Sequence, residues 1–143
     1  MAELAAGLFA SSRHALAANV FERWTELAPN DPEPWNNLGL CRLLLRQVDS
    51  ARQALEQALV IEPSFAAAMN NLCDVYKELG QPELQLQLAL SAVALQPGSA
   101  QAFNNLGTAL RENGMLAEAV HASSTAPVNW FDAPAHFDHG RYW

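Results

Sequence analysis

Apolar residues recur along this chain at helical spacing, and the recurrence is itself repeated. Trp35, Leu38, Gly39 and Arg42 fall within roughly 100° of arc on a helical wheel, the packing stripe of one amphipathic helix. Ala51, Leu55, Ala58 and Leu59 form the stripe of a second helix. The first helix is expected to start at Asp31, a good N-cap followed by Pro32, and to run to about Arg46. The second starts after Asp49 and stops before Pro63. Downstream, Ser64 is expected to cap a helix that runs to Leu79. Gly80 makes the turn, and Pro82 opens the next helix. Another helix starts at Ser99 and turns at Asn113-Gly114. At the N-terminus a helix over about 13–28 carries Ala17 and Phe21 in the same register. The helix before it is incomplete, because Met1 falls where Trp35 falls in the next unit.

The step between equivalent positions is constant. Pro29, Pro63 and Pro97 mark it, as do Trp35, Met69 and Phe103, then Leu38, Leu72 and Leu106, then Gly39, Cys73 and Gly107. Ala58 and Ala92 follow, and Ala126 continues them. Asparagine, a poor residue for helix interiors, occurs in pairs at 36/37, 70/71 and 104/105. A tandem structural unit of two helices accounts for this coincidence, and composition does not. The ends depart from the pattern. Gln85 stands at the position of Ala51, Trp24 at that of Ala58 and Ser123 at that of Leu55. Pro127 cuts the last unit short.

The motif Trp-x2-Leu-Gly at Trp35, Leu38 and Gly39, with Ala51, Leu55, Ala58 and Pro63 behind it, resembles the tetratricopeptide repeat. The resemblance covers roughly residues 1–126. It implies an all-α fold, a right-handed α-solenoid of stacked helix-turn-helix hairpins. First helices would line a concave groove and second helices the outside. The array divides into a partial repeat 1–31, full repeats 32–65 and 66–99, a degenerate repeat 100–126 and a non-repeat tail 127–143. The Asn-Asn-Leu-Gly style is most similar to the repeats of O-GlcNAc transferases and SPINDLY-like bacterial proteins. In those repeats a ladder of groove asparagines holds substrate peptides.

The wheel separates the two asparagines of each pair. Asn37, Asn71 and Asn105 point away from the packing stripe, towards the groove. Asn36, Asn70 and Asn104 point sideways, between adjacent first helices. A carboxamide offers donors and an acceptor together, and so suits the backbone of an extended peptide. Packed helices lie roughly 8–10 Å apart, and an extended chain spans about 3.3–3.6 Å per residue. One asparagine per unit would therefore meet about every third peptide residue. The same wheel adds Leu40, Asp74 and Thr108 to the groove, then Leu44, Glu78 and Glu112, with Lys77 and Arg111 at its edge. A purely structural role weighs evenly against binding for the second asparagines, and ahead of it for the first. Asp74, Glu78 and Glu112 argue against a clamp for a partner's carboxylate.

Composition narrows the function classes. Half of the 143 residues are hydrophobic and 16% are charged, too apolar for a disordered chain. The net charge of −7, with Lys77 the only lysine, disfavours nucleic acids and anionic membranes as partners. No apolar run reaches membrane-spanning length. The N-terminus carries Glu3 and is broken at Ser11–His14, unlike a signal peptide, so a cytoplasmic location is expected. Cys41 and Cys73 read as small packing residues in a reducing compartment. The chain shows no phosphate-binding loop, nucleophile motif or metal-ligand spacing, so no catalytic residue, cofactor or metal is expected. His121, Asp132, His136, Asp138 and His139 fit no standard metal site. The tail holds Trp130, Phe131, Phe137, Tyr142 and Trp143. Three placements stand open for it: a cap on the last repeat, a pseudo-ligand in its own or a neighbour's groove, or the start of a missing domain. The expected function is a scaffold that binds an extended peptide or protein segment. The alternatives are the substrate-recruiting arm of a larger peptide O-glycosyltransferase, or a structural protein that self-associates through its aromatic tail.

Overall fold

The computed structural model describes residues 2–115. Seven helices and no strand are found among them: α1 (Ala2–Ala10), α2 (His14–Leu27), α3 (Pro32–Leu44), α4 (Val48–Ile61), α5 (Ala66–Glu78), α6 (Pro82–Leu95) and α7 (Ala100–Glu112). The fourth unit's second helix, Ser123, Ala126, the tail 127–143 and the histidine group lie outside the described residues.

The period reappears in the turns. Ser12, Arg46, Gly80 and Gly114, one per unit, all take a left-handed backbone, with φ of 61°, 64°, 68° and 72°. Each ends a first helix in the same way. Gln47 N donates to Arg42 O (2.8 Å), Gln81 N to Tyr76 O (2.9 Å) and Met115 N to Leu110 O (2.8 Å). These six-residue closures satisfy carbonyls that the helix end leaves open. A side chain in this conformation meets its own backbone, at a cost of about 1–2 kcal/mol. Gly80→Ala should therefore lower stability by about that amount in a urea titration. A change near zero would mean that the turn relaxes.

Two expected caps are corrected by the register. α5 begins at Ala66 with Phe65, not Ser64, at the N-cap, and no side chain caps it. Phe65 is in step with Asp31 and Ser99, which do cap: Asp31 accepts from Glu33 N, and Ser99 from Ala102 N. The Phe65 ring instead packs on the core around Leu55 and Leu72. α4 begins at Val48 with Gln47 as N-cap, so Asp49 lies in the first turn. α3 stops at Leu44 rather than Arg46, because Arg46 is the left-handed residue.

Packing gives the array its curvature. α4 packs on α3 and α5, α6 on α5 and α7, and α2 on α1 and α3. α3 also touches α5 directly, and α5 touches α7, whereas the second helices hardly meet one another. The stack therefore closes on the side of the first helices, which form its concave face. The core is a row of clusters. Leu38, Cys41 and Ala54 join Ala5, Ala17 and Phe21; Leu55 and Ala58 join Leu72 and Val75; Cys73 and Ala89 join Leu106 and Ala109. Each hairpin completes its neighbour's core, as a solenoid requires.

Both cysteines are buried and unpaired. Burial pushes the Cys41 thiol up to about 11. Burial, then the nearby Asp74 charge, push Cys73 up to about 12. The native thiols stay protonated where those of the unfolded chain, near 9.0, have ionised. Their contribution to stability is therefore whole below about pH 9 and is lost as pH rises through that range. The melting temperature should decline above about pH 9, and less steeply in a Cys41→Ala/Cys73→Ala variant. Parallel curves for the two proteins would contradict this.

Candidate functional site

Each asparagine pair is joined to the next. Asn71 Nδ2 donates to Asn36 Oδ1 (2.9 Å), and Asn105 Nδ2 donates to Asn70 Oδ1 (3.0 Å). The second asparagine of one unit thus reaches back 35 residues to the first asparagine of the unit before. Asn36, Asn70 and Asn105 are buried, at 6%, 8% and 6% exposure. Every buried polar atom in such a contact needs a partner, which explains why asparagine is kept inside these helices. Asn36 Nδ2 in turn donates to Asn37 Oδ1 (3.3 Å). Asn104 Oδ1, the acceptor that a further unit would fill, is buried and accepts no hydrogen bond among the described residues. The donor's register position there is His139, outside the described residues.

The concave face carries two clefts. One, of about 380 Å³, is lined by Leu40, Leu43, Leu44, Arg46, Asp74, Lys77 and Glu78. It brings together five expected groove residues, Leu40, Leu44, Asp74, Lys77 and Glu78. Arg46 Nη2 pairs with Glu78 Oε2 at its edge (2.9 Å). The other cleft, of about 370 Å³, lies between α1 and α3 and includes Asn37 and Leu40. Leu40 therefore belongs to both. The remaining expected residues are placed differently. Asn71 is half-buried and engaged with Asn36, and Asn105 is buried. Thr108 is buried, and its hydroxyl donates to Asn104 O (3.0 Å). Arg111 pairs with Glu112 (3.1 Å).

Behind the polar cleft, Tyr76 Oη donates to Glu56 Oε1 (3.1 Å) on α4. Burial and then this carboxylate raise the Tyr76 pKa, so the phenol stays a neutral donor. No group of three or more His, Cys, Asp or Glu able to hold a metal is found among the described residues. No described helix is long and apolar enough to cross a membrane.

Two family profiles described as tetratricopeptide repeat match the chain, one at residues 20–53 and 88–121 and the other at 45–100. The chain belongs to the tetratricopeptide-repeat family. No curated protein matches this tetratricopeptide-repeat chain significantly. Solved structures share its fold. MamA 41-end from Desulfovibrio magneticus RS-1 is 22% identical with a TM-score of 0.78, over 86% of this chain and 70% of that one. YrrB, described as a TPR protein with an unusual peptide-binding site, is 23% identical with a TM-score of 0.75, over 86% and 63%. TTC0263, a thermophilic TPR protein from Thermus thermophilus, is 22% identical with a TM-score of 0.74, over 86% and 69%.

Proposed function

We propose that this chain is an interaction scaffold that holds an extended peptide or protein segment along its concave face. The observation that carries the reading is the pair of clefts joined at Leu40, which run across α1, α3 and α5. Asn37, Leu40, Asp74 and Lys77 line this path. Asn71, Asn105 and Thr108, on the same face of α5 and α7, are held within the stack and stand beside the path rather than in it. YrrB, with the same fold, is described as having a peptide-binding site, which adds support by analogy.

The test is selection of peptides from a random library on the intact chain, followed by two variants. A Leu40→Glu/Lys77→Glu variant should lose the selected peptides. Val60→Glu, on the exposed second-helix side, should keep them. The reverse pattern would move binding to the convex face and end this reading. The Asn-Asn-Leu repeats also suit the recruiting arm of a peptide O-glycosyltransferase. A transferase sequence following Trp143 in the natural gene would favour that alternative. No catalytic role is proposed for the chain itself.

A further inference from the structure

The cleft between α1 and α3 differs from the rest of the groove. Its walls are Ala2, Ala6, Phe9 and Ala10 on α1, Phe21 and Trp24 on α2, and Glu33, Asn37 and Leu40 on α3. Ala6 and Ala10 stand in register with Leu40 and Leu44, so the cleft opens on the concave face. Its cause is visible in the repeat. The position of Trp24 is held by Ala58 and Ala92 in the next units, and both are fully buried where first helices meet. Trp24 puts an indole where those units have a methyl group. α1 and α3 accordingly have scarcely any direct contact, while α3 closes on α5. Alanines on the opposite wall leave the gap unfilled.

The polar groups at this cleft point to its occupant. The asparagine ladder ends here, because 35 residues before Asn37 stands Ala2, which offers no side-chain acceptor. Asn37 lines the cleft; its Oδ1 accepts from Asn36, and its Nδ2 donates to nothing among the described residues. Among the described residues, Glu33 is the only charged one in the lining. Glu3, one turn before Ala6, occupies the register position of Asn37. Neither carboxylate has an ion pair among the described residues.

We propose that this cleft is an anchor subsite for one large apolar side chain of an extended peptide, next to a cationic residue. The side chain fills the space between the α1 alanines and Trp24. Asn37 Nδ2 donates to a peptide carbonyl, and Glu33 and Glu3 attract the cation. A volume of about 370 Å³ is at the small end for ligand pockets and suits one aromatic or leucine side chain with its backbone. The inference rests on the groove reading and adds its specificity. Charge complementarity selects this occupant: the charged side chain described in the lining, Glu33, is a carboxylate, and the chain's net charge is −7.

The test uses the intact chain and capped hexapeptides, Ac-Ser-Gly-Arg-Phe-Gly-Ser-NH2 and two relatives, with affinities from calorimetry. Replacing Phe by Ser should weaken binding about tenfold to a hundredfold, the transfer free energy of the ring. Replacing Arg by Glu should weaken it a few-fold, less at high salt. Ala6→Trp fills the cleft from an exposed position, so folding is retained, and should abolish the preference for Phe. Binding without a Phe preference, or a preference that survives Ala6→Trp, overturns the subsite while leaving the groove reading standing. Binding of none of the peptides overturns it too. In that case, a dimer that Ala6→Trp dissociates would assign the cleft to a second copy of the chain. Binding of a synthetic 127–143 peptide alone would assign it to the chain's own aromatic segment.

Discussion

Leu55→Ala should lower the unfolding free energy by about 2–5 kcal/mol, and Gly39→Cys in the same chain should restore part of the loss. Leu55 is fully buried, and α3 meets α4 across it. A Cβ on Gly39 would lie 2.5 Å from Leu55 Cγ, 2.8 Å from its Cδ2 and 3.2 Å from Ala51 O. Gly39→Cys alone is thus an overpacking change, expected to cost about 1–3 kcal/mol. One unit later the volumes are exchanged. Cys73 stands at the glycine position, Ala89 at the leucine position, and both are buried in one cluster. The Cys73 thiol faces Gln85 O at 3.6 Å, the carbonyl equivalent to Ala51 O. The third unit therefore already contains the double variant. Urea titrations of the two single variants and the double should show strong favourable coupling. Additive losses would mean that Gly39 and Leu55 do not share one space.

The second large effect lies in the asparagine ladder. Asn70→Ala removes the acceptor of the buried Asn105 amide, and Asn105→Ala strands Asn70 Oδ1. Each should cost about 1–3 kcal/mol, the penalty for an unpaired buried polar group. Asn37→Ala should cost less than about 1 kcal/mol, since no neighbouring unit bonds to its side chain. The contrast within one motif is the point of the experiment. Equal losses at Asn37 and Asn105 would show that burial of the helix face, rather than the inter-repeat hydrogen bond, sets the requirement for asparagine.

Much of the architecture was legible in the spacing, because a solenoid's contacts are local and repeat with its sequence. Pro29, Pro63 and Pro97, Leu38, Leu72 and Leu106, and the turns at Gly80 and Gly114 all mark helix ends or packing stripes. Caps were less legible. Ser64 is a better capping residue than Phe65, but the register fixes the helix start, and the core takes the ring. The wheel gave each asparagine a direction. It did not show that Asn71 and Asn105 reach back to Asn36 and Asn70, because a wheel describes one helix and the hydrogen bond joins two. The α1–α3 cleft is not legible in the spacing for a related reason. Trp24 was visible as a departure from the small residue of Ala58 and Ala92. Its consequence, a gap walled by Ala6 and Ala10, depends on how far α1 stands from α3.

The most direct test of the account is the side-chain amide spectrum of the 15N-labelled chain during titration with the Arg-Phe hexapeptide. The Asn37 Nδ2 resonances should shift and saturate with the binding isotherm. Those of Asn71 and Asn105, held by Asn36 and Asn70, should keep their positions. Movement of Asn71 and Asn105 with Asn37 unchanged would contradict the account. It would place the peptide on the ladder rather than at its open end.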